Sequence, residues 1–145
     1  MLMYRKRSAN RRYSPSKSLD ELKSGLKRCP FCHAADLKIK QTNALSYVIH
    51  NIYPYHYWEF MGVVDHLLIV PKRHVESLSE LSDDEKLEIM NMIAMYEQDG
   101  YNVYARTATN SIKTVPHQHT HLIKTNNKLA RLFVHLRKPY LLLQR

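Results

Sequence analysis

Histidine recurs at every second position in Val115-Pro-His-Gln-His-Thr-His-Leu-Ile123, which sets His117, His119 and His121 in one alternating series. An imidazole can ligate a metal, move a proton or attack an electrophile, so three of them in series are candidates for all three chemistries. On a β-strand, alternate side chains share a face, and the rings would line one surface roughly 7 Å apart. Two more reactive features lie upstream: the pair Cys29-Pro-Phe-Cys32, and His74 directly after Pro71-Lys-Arg.

Each feature has a plainer reading. The cysteine pair could be a redox couple, half of a zinc knuckle, or two inert buried thiols. The redox reading expects a buried strand before the first cysteine, and Ser24-Gly-Leu-Lys-Arg28 is not one. As half of a tetrahedral site, the pair needs two more ligands from elsewhere. A lone His74 after a strand is ordinarily a surface or capping residue. The alternating histidines could form a solvated face, hold a catalytic metal themselves, or do metal-free chemistry. A hydrolytic metal site usually recruits a carboxylate as well, and residues 101–145 contain none.

These residues need elements to hold them. A chain of 145 residues suffices for one core. After the cysteines, residues 37–41 and 46–53 read as strands, and the apolar run 63–70 ends at Pro71 as a buried strand does. Ser82-Asp-Asp-Glu85 is a capping box, followed by Ile89, Met92, Ile93 and Tyr96 at helical spacing and by Gly100 as a stop. Residues 101–107 and 117–125 are expected to be strands, joined by a polar loop at 108–116. The tail, 128–145, divides into a helical first half and a strand-like Tyr140–Leu143. Residues 1–17 read as a flexible basic arm, and 18–145 as a single domain. Ser18–Lys27 is expected to be a short helix with a capping box of Ser18 and Glu21.

Charge is segregated: residues 1–28 carry a net +7, residues 29–100 a net −6, and residues 101–145 a net +8. The histidine series thus sits in a positive field that attracts anions such as phosphates, or polyanions without specificity. No run approaches a membrane span, and the first residues lack an apolar leader, although an Arg-rich, acid-poor start also fits an organelle transit peptide. Two cysteines at ligand spacing and no others fit a reducing, cytoplasmic setting.

His117-x-His119-x-His121-Leu-Ile123, together with Cys29-x-x-Cys32, Asn51-Ile-Tyr-Pro54 and His66-Leu-Leu-Ile-Val-Pro-Lys-Arg-His74, resembles the signature of the histidine triad (HIT) superfamily of nucleotidyl hydrolases and transferases. The likeness spans roughly residues 29–125. It implies an α+β, HIT-like fold: an antiparallel sheet of about five strands, one long helix and the short N-terminal helix. By the resemblance, Cys29, Cys32, His74 and His117 hold a structural zinc ion. His119 is the nucleophile that forms a nucleotidyl-histidine intermediate at the α-phosphate of a nucleotide conjugate or dinucleoside polyphosphate. His121 contacts phosphate or assists the leaving group. Asn110, Ser111 and Thr114 resemble phosphate-contacting positions, Lys113 could add a direct phosphate contact, and Asn51 falls where the family touches ribose. A two-fold homodimer is the implied assembly.

The chain departs from the family in three places. Its loop 107–116 lacks the Gly-rich, Gln-containing form and is locally closer to diadenosine polyphosphate phosphorylases and galactose-1-phosphate uridylyltransferases. Gln118 and Thr120 are polar where apolar residues are usual, which predicts a wet opposite face. Residues 53–61 insert an aromatic stretch that could stack on a base or pack into a core. The competing function is a zinc-stabilised nucleotide- or nucleic-acid-binding module without catalysis, which would use the basic arm.

Overall fold

The computed structural model describes residues 29–33, 35 and 37–130, together with the backbone of residues 3–4, 133–137 and 140–144. The expected helix Ser18–Lys27 and, apart from residues 3–4, the basic arm lie outside the described residues. Nine strands and one α-helix are described, in the order β1 (Met3–Tyr4), β2 (Ile39–Thr42), β3 (Ser46–His50), β4 (Tyr57–Trp58), β5 (Met61–Pro71), α1 (Asp83–Gln98), β6 (Tyr101–Ala105), β7 (Thr120–Leu129), β8 (Phe133–Arg137) and β9 (Tyr140–Gln144).

The first seven strands form one antiparallel sheet. Its body runs β6-β7-β5-β3-β2, and the two-residue strands β4 and β1 extend it beside β5. The sheet therefore has seven strands, two of them only two residues long, where about five were expected. β8 and β9 pair with each other, closing at Arg137–Tyr140. The first half of the tail is thus strand, not helix. Pro139 between the two segments, with no N–H to donate, is consistent with that outcome.

β5 holds the molecule together because it pairs with β3, β4 and β7. Its alternation splits the apolar residues between two faces. Leu67 and Ile69 point with Val48 and Leu122 towards Ile89, Met92 and Tyr96 of α1. Leu68 and Val70 join Ile49 on the other face, where Phe31, Leu37 and Tyr47 pack over them.

α1 starts where its chemistry dictates. The Ser82 hydroxyl accepts from the Glu85 amide at 3.2 Å, and the Glu85 carboxylate accepts from the Ser82 amide at 2.8 Å. Asp83, Asp84 and Glu85 meet the positive end of the helix dipole. Gly100 ends the turn at φ 82°, a conformation that a β-carbon would strain. The Glu85 carboxylate also receives both arms of Arg73, Nε at 3.1 Å and Nη2 at 2.6 Å. That fork ties the turn after β5 to the helix N-terminus, so His74 projects from a fixed base. Arg73 holds the Glu85 carboxyl below its ordinary pKa.

The aromatic insertion is a hairpin. Tyr57 pairs with Gly62 and Trp58 with Met61 across Glu59 and Phe60, whose φ values of 49° and 65° are those of a tight type I′ turn made without glycine. Tyr55 and Trp58 stack at 6.0 Å and are buried with Ile123. The insertion packs as core. No helix among the described residues is long and apolar enough to cross a membrane.

Candidate active site and metal centre

The three histidines do not share a strand. β7 begins at Thr120, so only His121 is paired in the sheet, opposite Leu68 of β5 and Tyr104 of β6. Pro116 cannot donate to a ladder, β6 ends at Ala105 opposite Thr120, and the pairing with β5 also stops at Ile69–Thr120, so His117 and His119 enter no ladder. The Gln118 amide instead donates to the Val75 carbonyl at 2.6 Å, pinning this segment to the turn that follows β5. All three histidines are buried even so.

His117 closes a cluster of four. Its Nδ1 lies 3.5 Å from the Cys29 sulfur and 3.6 Å from the Cys32 sulfur, and the Cys32 sulfur is 3.1 Å from Nδ1 of His74. All four ligand atoms fall within 4.8 Å of one another. A tetrahedral ion with bonds of about 2.3 Å to sulfur and about 2.0 Å to nitrogen sets a sulfur–nitrogen edge of about 3.5 Å. The donor set, two thiols and two imidazoles, therefore has the size and chemistry of a zinc site. Burial pushes the Cys29 thiol up to about 11, and a bound cation would reverse that by stabilising the thiolate. Nε2 of His117 donates to the Pro71 carbonyl at 3.0 Å, so its proton lies on the side away from the sulfurs and Nδ1 presents a lone pair to them.

His119 has the opposite polarity. Its Nδ1 is 2.8 Å from the His117 carbonyl, which only accepts, so Nδ1 carries the proton and Nε2 the lone pair. Burial, with Lys113 and Arg106 adding positive charge nearby, lowers its pKa to about 4, and the ring is neutral at pH 7. Phe31 packs against it edge-on at 5.2 Å, and the His121 ring lies 5.0 Å away.

His121 takes its state from a residue whose part the spacing does not disclose. The Tyr55 amide donates to Nδ1 of His66 at 3.1 Å, so a neutral His66 carries its proton on Nε2. That Nε2 lies 2.9 Å from Nδ1 of His121 and donates to it. A neutral His121 in this arrangement bears its own proton on Nε2. The Asn51 side-chain nitrogen, whose partner oxygen accepts from the Tyr53 amide at 2.9 Å, lies 3.1 Å from Nε2 and 3.5 Å from Nδ1 of His66, and with the proton on Nε2 only Nδ1 can accept from it. The available signal for His66 was a histidine opening the apolar run that leads to Pro71. Neither periodicity nor spacing pairs it with His121, 55 residues on.

The expected substrate-contacting residues divide. Asn51 sits beside Tyr55 and His66 on a surface hollow of about 440 Å³. Asn110 shapes the loop, its side-chain oxygen accepting from the Ile112 amide at 3.0 Å, with Ser111 exposed at the tip and Thr114 half-buried. Lys113 is buried and turned inwards. Its ammonium donates to the Glu76 carbonyl at 2.6 Å and to the Gln118 side chain at 3.2 Å, and burial lowers its pKa. The face opposite the triad is accordingly dry: Gln118 and Thr120 are buried, and Gln118 is satisfied by Lys113 and the His119 carbonyl.

The comparisons agree with this geometry. A model of the HIT domain matches residues 36–128. No curated protein matches the chain. Among solved structures, a HIT family hydrolase from Legionella pneumophila Philadelphia 1 aligns with a TM-score of 0.52 at 20% identity, covering 72% of this chain and 97% of that one. A hypothetical histidine triad nucleotide-binding protein from Sulfolobus tokodaii strain7 aligns at 0.56 and 20% identity, covering 69% and 70%. A zinc-bound histidine triad family protein from Mycobacterium smegmatis aligns at 0.51 and 21% identity, covering 71% and 80%. At such identities the likeness speaks for the fold. With the family model matching well over half of the chain, and the triad assembled within it, the protein belongs to the HIT domain family.

Proposed function

We propose that this protein is a nucleotidyl hydrolase or transferase working through a nucleotidyl-histidine intermediate on His119. The observation that carries this reading is the His117 carbonyl 2.8 Å from Nδ1 of His119, which leaves Nε2 as a bare nucleophilic nitrogen. Nε2 attacks the α-phosphorus of a nucleotide in line. A P–N bond forms as the bond to the leaving group breaks, and the electron pair departs with that group. The ring becomes a cation, its Nδ1 proton facing a carbonyl that stabilises it. Water or another acceptor then attacks phosphorus from the opposite side. Imidazole leaves as a neutral ring, needing no proton, and the acceptor's proton passes to solvent or product. His121, with Nδ1 accepting from His66, donates through Nε2–H to a phosphate oxygen as charge builds there. It stabilises charge rather than delivering a proton.

Cys29, Cys32, His74 and His117 are proposed to hold a zinc ion. Four protein ligands leave no open position, so the ion would tie the 29–33 loop and the His74 turn to the triad segment without taking part in the chemistry. Asn51, Ser111 and Thr114 are the proposed substrate contacts, with Asn110 and Lys113 shaping their loop. A homodimer is supported by the outer face of α1 and β6, where Leu87 is 61%, Met90 60% and Val103 40% exposed. Among the described strands, β6 pairs only with β7, so its other edge is open to a second copy.

The test is incubation with adenylated and uridylated compounds, acid-free quenching, and mass spectrometry of the protein. A nucleotidyl adduct mapped to His119 and abolished in His119→Ala supports the reading. Unchanged turnover in that variant rejects it in favour of a binding module.

A further inference from the structure

His119 owes its bare nitrogen to one carbonyl, and the fold aims that carbonyl from outside the triad. The His117 C=O and the Gln118 N–H belong to a single peptide unit, which is planar and trans, so they point in opposite directions. The Gln118 amide donates to the Val75 carbonyl at 2.6 Å, and from the other side of the unit the His117 carbonyl accepts from Nδ1 of His119 at 2.8 Å. Turning the unit far enough to lose the first bond would also carry the acceptor away from the second. Nδ1 would then lack its fixed acceptor, and the proton would be free to settle on Nε2, the nitrogen that must attack.

Val75 therefore has to stay put, and Lys113 is placed to keep it there. The next carbonyl along the chain, that of Glu76, accepts from the Lys113 ammonium at 2.6 Å, and the same ammonium donates to the Gln118 side chain at 3.2 Å. One cation thus bridges both sides of the bond from Gln118 to Val75. Lys113 is itself fixed in its loop, its amide donating to the Asn110 carbonyl at 2.9 Å. Lys113 and Gln118 are 3% and 1% exposed, and among the described residues no ion pair includes Lys113. A buried ammonium held by neutral acceptors costs stability, and an apolar residue at 118, usual in the family, would fill the space without that cost. Packing alone does not account for the pair.

We propose that Lys113 is a positioning residue for His119, holding Glu76 and Gln118 together so that the 117–118 peptide keeps the nucleophile's proton on Nδ1. This rests on the His119 chemistry proposed above. The ammonium points into the core, so it acts through the peptide rather than on a substrate. No bond of the reaction changes. What Lys113 sets is the fraction of molecules whose Nε2 is ready to attack the α-phosphorus.

The experiment uses the full chain as wild type, Lys113→Met, Lys113→Arg and the apolar pair Lys113→Met with Gln118→Leu. Each is followed by thermal melting, and by kcat and KM on the p-nitrophenyl ester of adenosine 5′-phosphate well below its melting temperature. NMR of the imidazole N–H protons completes the set, with the His119 signal assigned by its absence in His119→Ala. Wild type should show His119 protonated on Nδ1. In Lys113→Met, kcat should fall by about tenfold or more, KM should change less than about threefold, and the Nδ1 proton signal should be lost. Lys113→Arg should recover part of both. The double variant should regain melting temperature, because Gln118 is no longer left unpaired, without regaining kcat. An unchanged kcat in Lys113→Met, a loss carried by KM, or a His119 signal that persists there would overturn the proposal. So would a return of kcat along with melting temperature in the double variant. The NMR result stands whether or not the ester is turned over. Failure of the underlying reading looks different: wild type would turn over no adenylated or uridylated compound, or turnover would survive His119→Ala.

Discussion

His117 and His121 flank the same residue and have the same side chain, yet the structure prepares them for opposite tasks. At His117 a backbone carbonyl takes the Nε2 proton, and Nδ1 is left to face two sulfurs and His74. At His121 a backbone amide, acting through His66, forces the proton out to Nε2. Between them His119 gives its Nδ1 proton to the His117 carbonyl and keeps Nε2 bare. In the proposed mechanism a ligand, a nucleophile and a donor are thus made from one residue type. What differs is which backbone group meets each ring.

Four changes would break or sharpen that contrast. The largest effect belongs to the centre: His119→Ala should lower turnover by about 10⁴-fold or more, as loss of a nucleophile does, with melting temperature little altered. Next is the metal end. Chelation, or Cys32→Ser, should destabilise the fold by about 3 kcal/mol or more, read by urea denaturation, and activity should disappear with folding rather than ahead of it. Loss of activity from a fully folded apo-protein would mean that the ion is catalytic. The donor end should respond more gently. His66→Ala frees the proton position of His121 and should cost about 10–100-fold in kcat, the range for partners that orient a reacting ring. His66→Gln, which can still donate, should recover part of it.

The smallest effect lies in the scaffold common to both ends. Glu85 has a carboxyl pKa lowered by its hydrogen bonds to Arg73. A depressed acid contributes stability that is present above its unfolded value, about 4.3, and that fades as pH drops through the folded value. The difference in urea midpoint between wild type and Glu85→Gln should accordingly be widest near neutrality and shrink below about pH 4. A difference that grew on acidification would remove Arg73 as the cause.

Local chemistry was legible wherever one short segment decides it. The helix after Ser82 was readable to the residue, because capping box, apolar spacing and terminal glycine are all local. The cluster of Cys29, Cys32, His74 and His117 was readable only in part from spacing: the cysteine pair suggested two candidate ligands, and the family likeness named His74 and His117. The strand assignment for His117 and His119 misread alternation as pairing. A period of two needs only extended backbone, whereas a strand needs ladder partners, and the pairing with both β5 and β6 stops at Thr120. Gln118 shows the same limit, since polarity suggested water and the structure supplied Lys113.

From its own order of residues, this chain determined that three imidazoles would alternate, that two thiols would sit close together in the chain, and that a polar loop would lead into the site. Those are matters of covalent neighbourhood. For His117 and His121, which nitrogen carries the proton was decided only by folding, because the deciding groups, Pro71, Tyr55 and His66, lie far from the triad in the chain, whereas His119 meets a carbonyl two residues away. So too with Lys113: composition counted a cation, and only packing set its ammonium between the Glu76 carbonyl and Gln118.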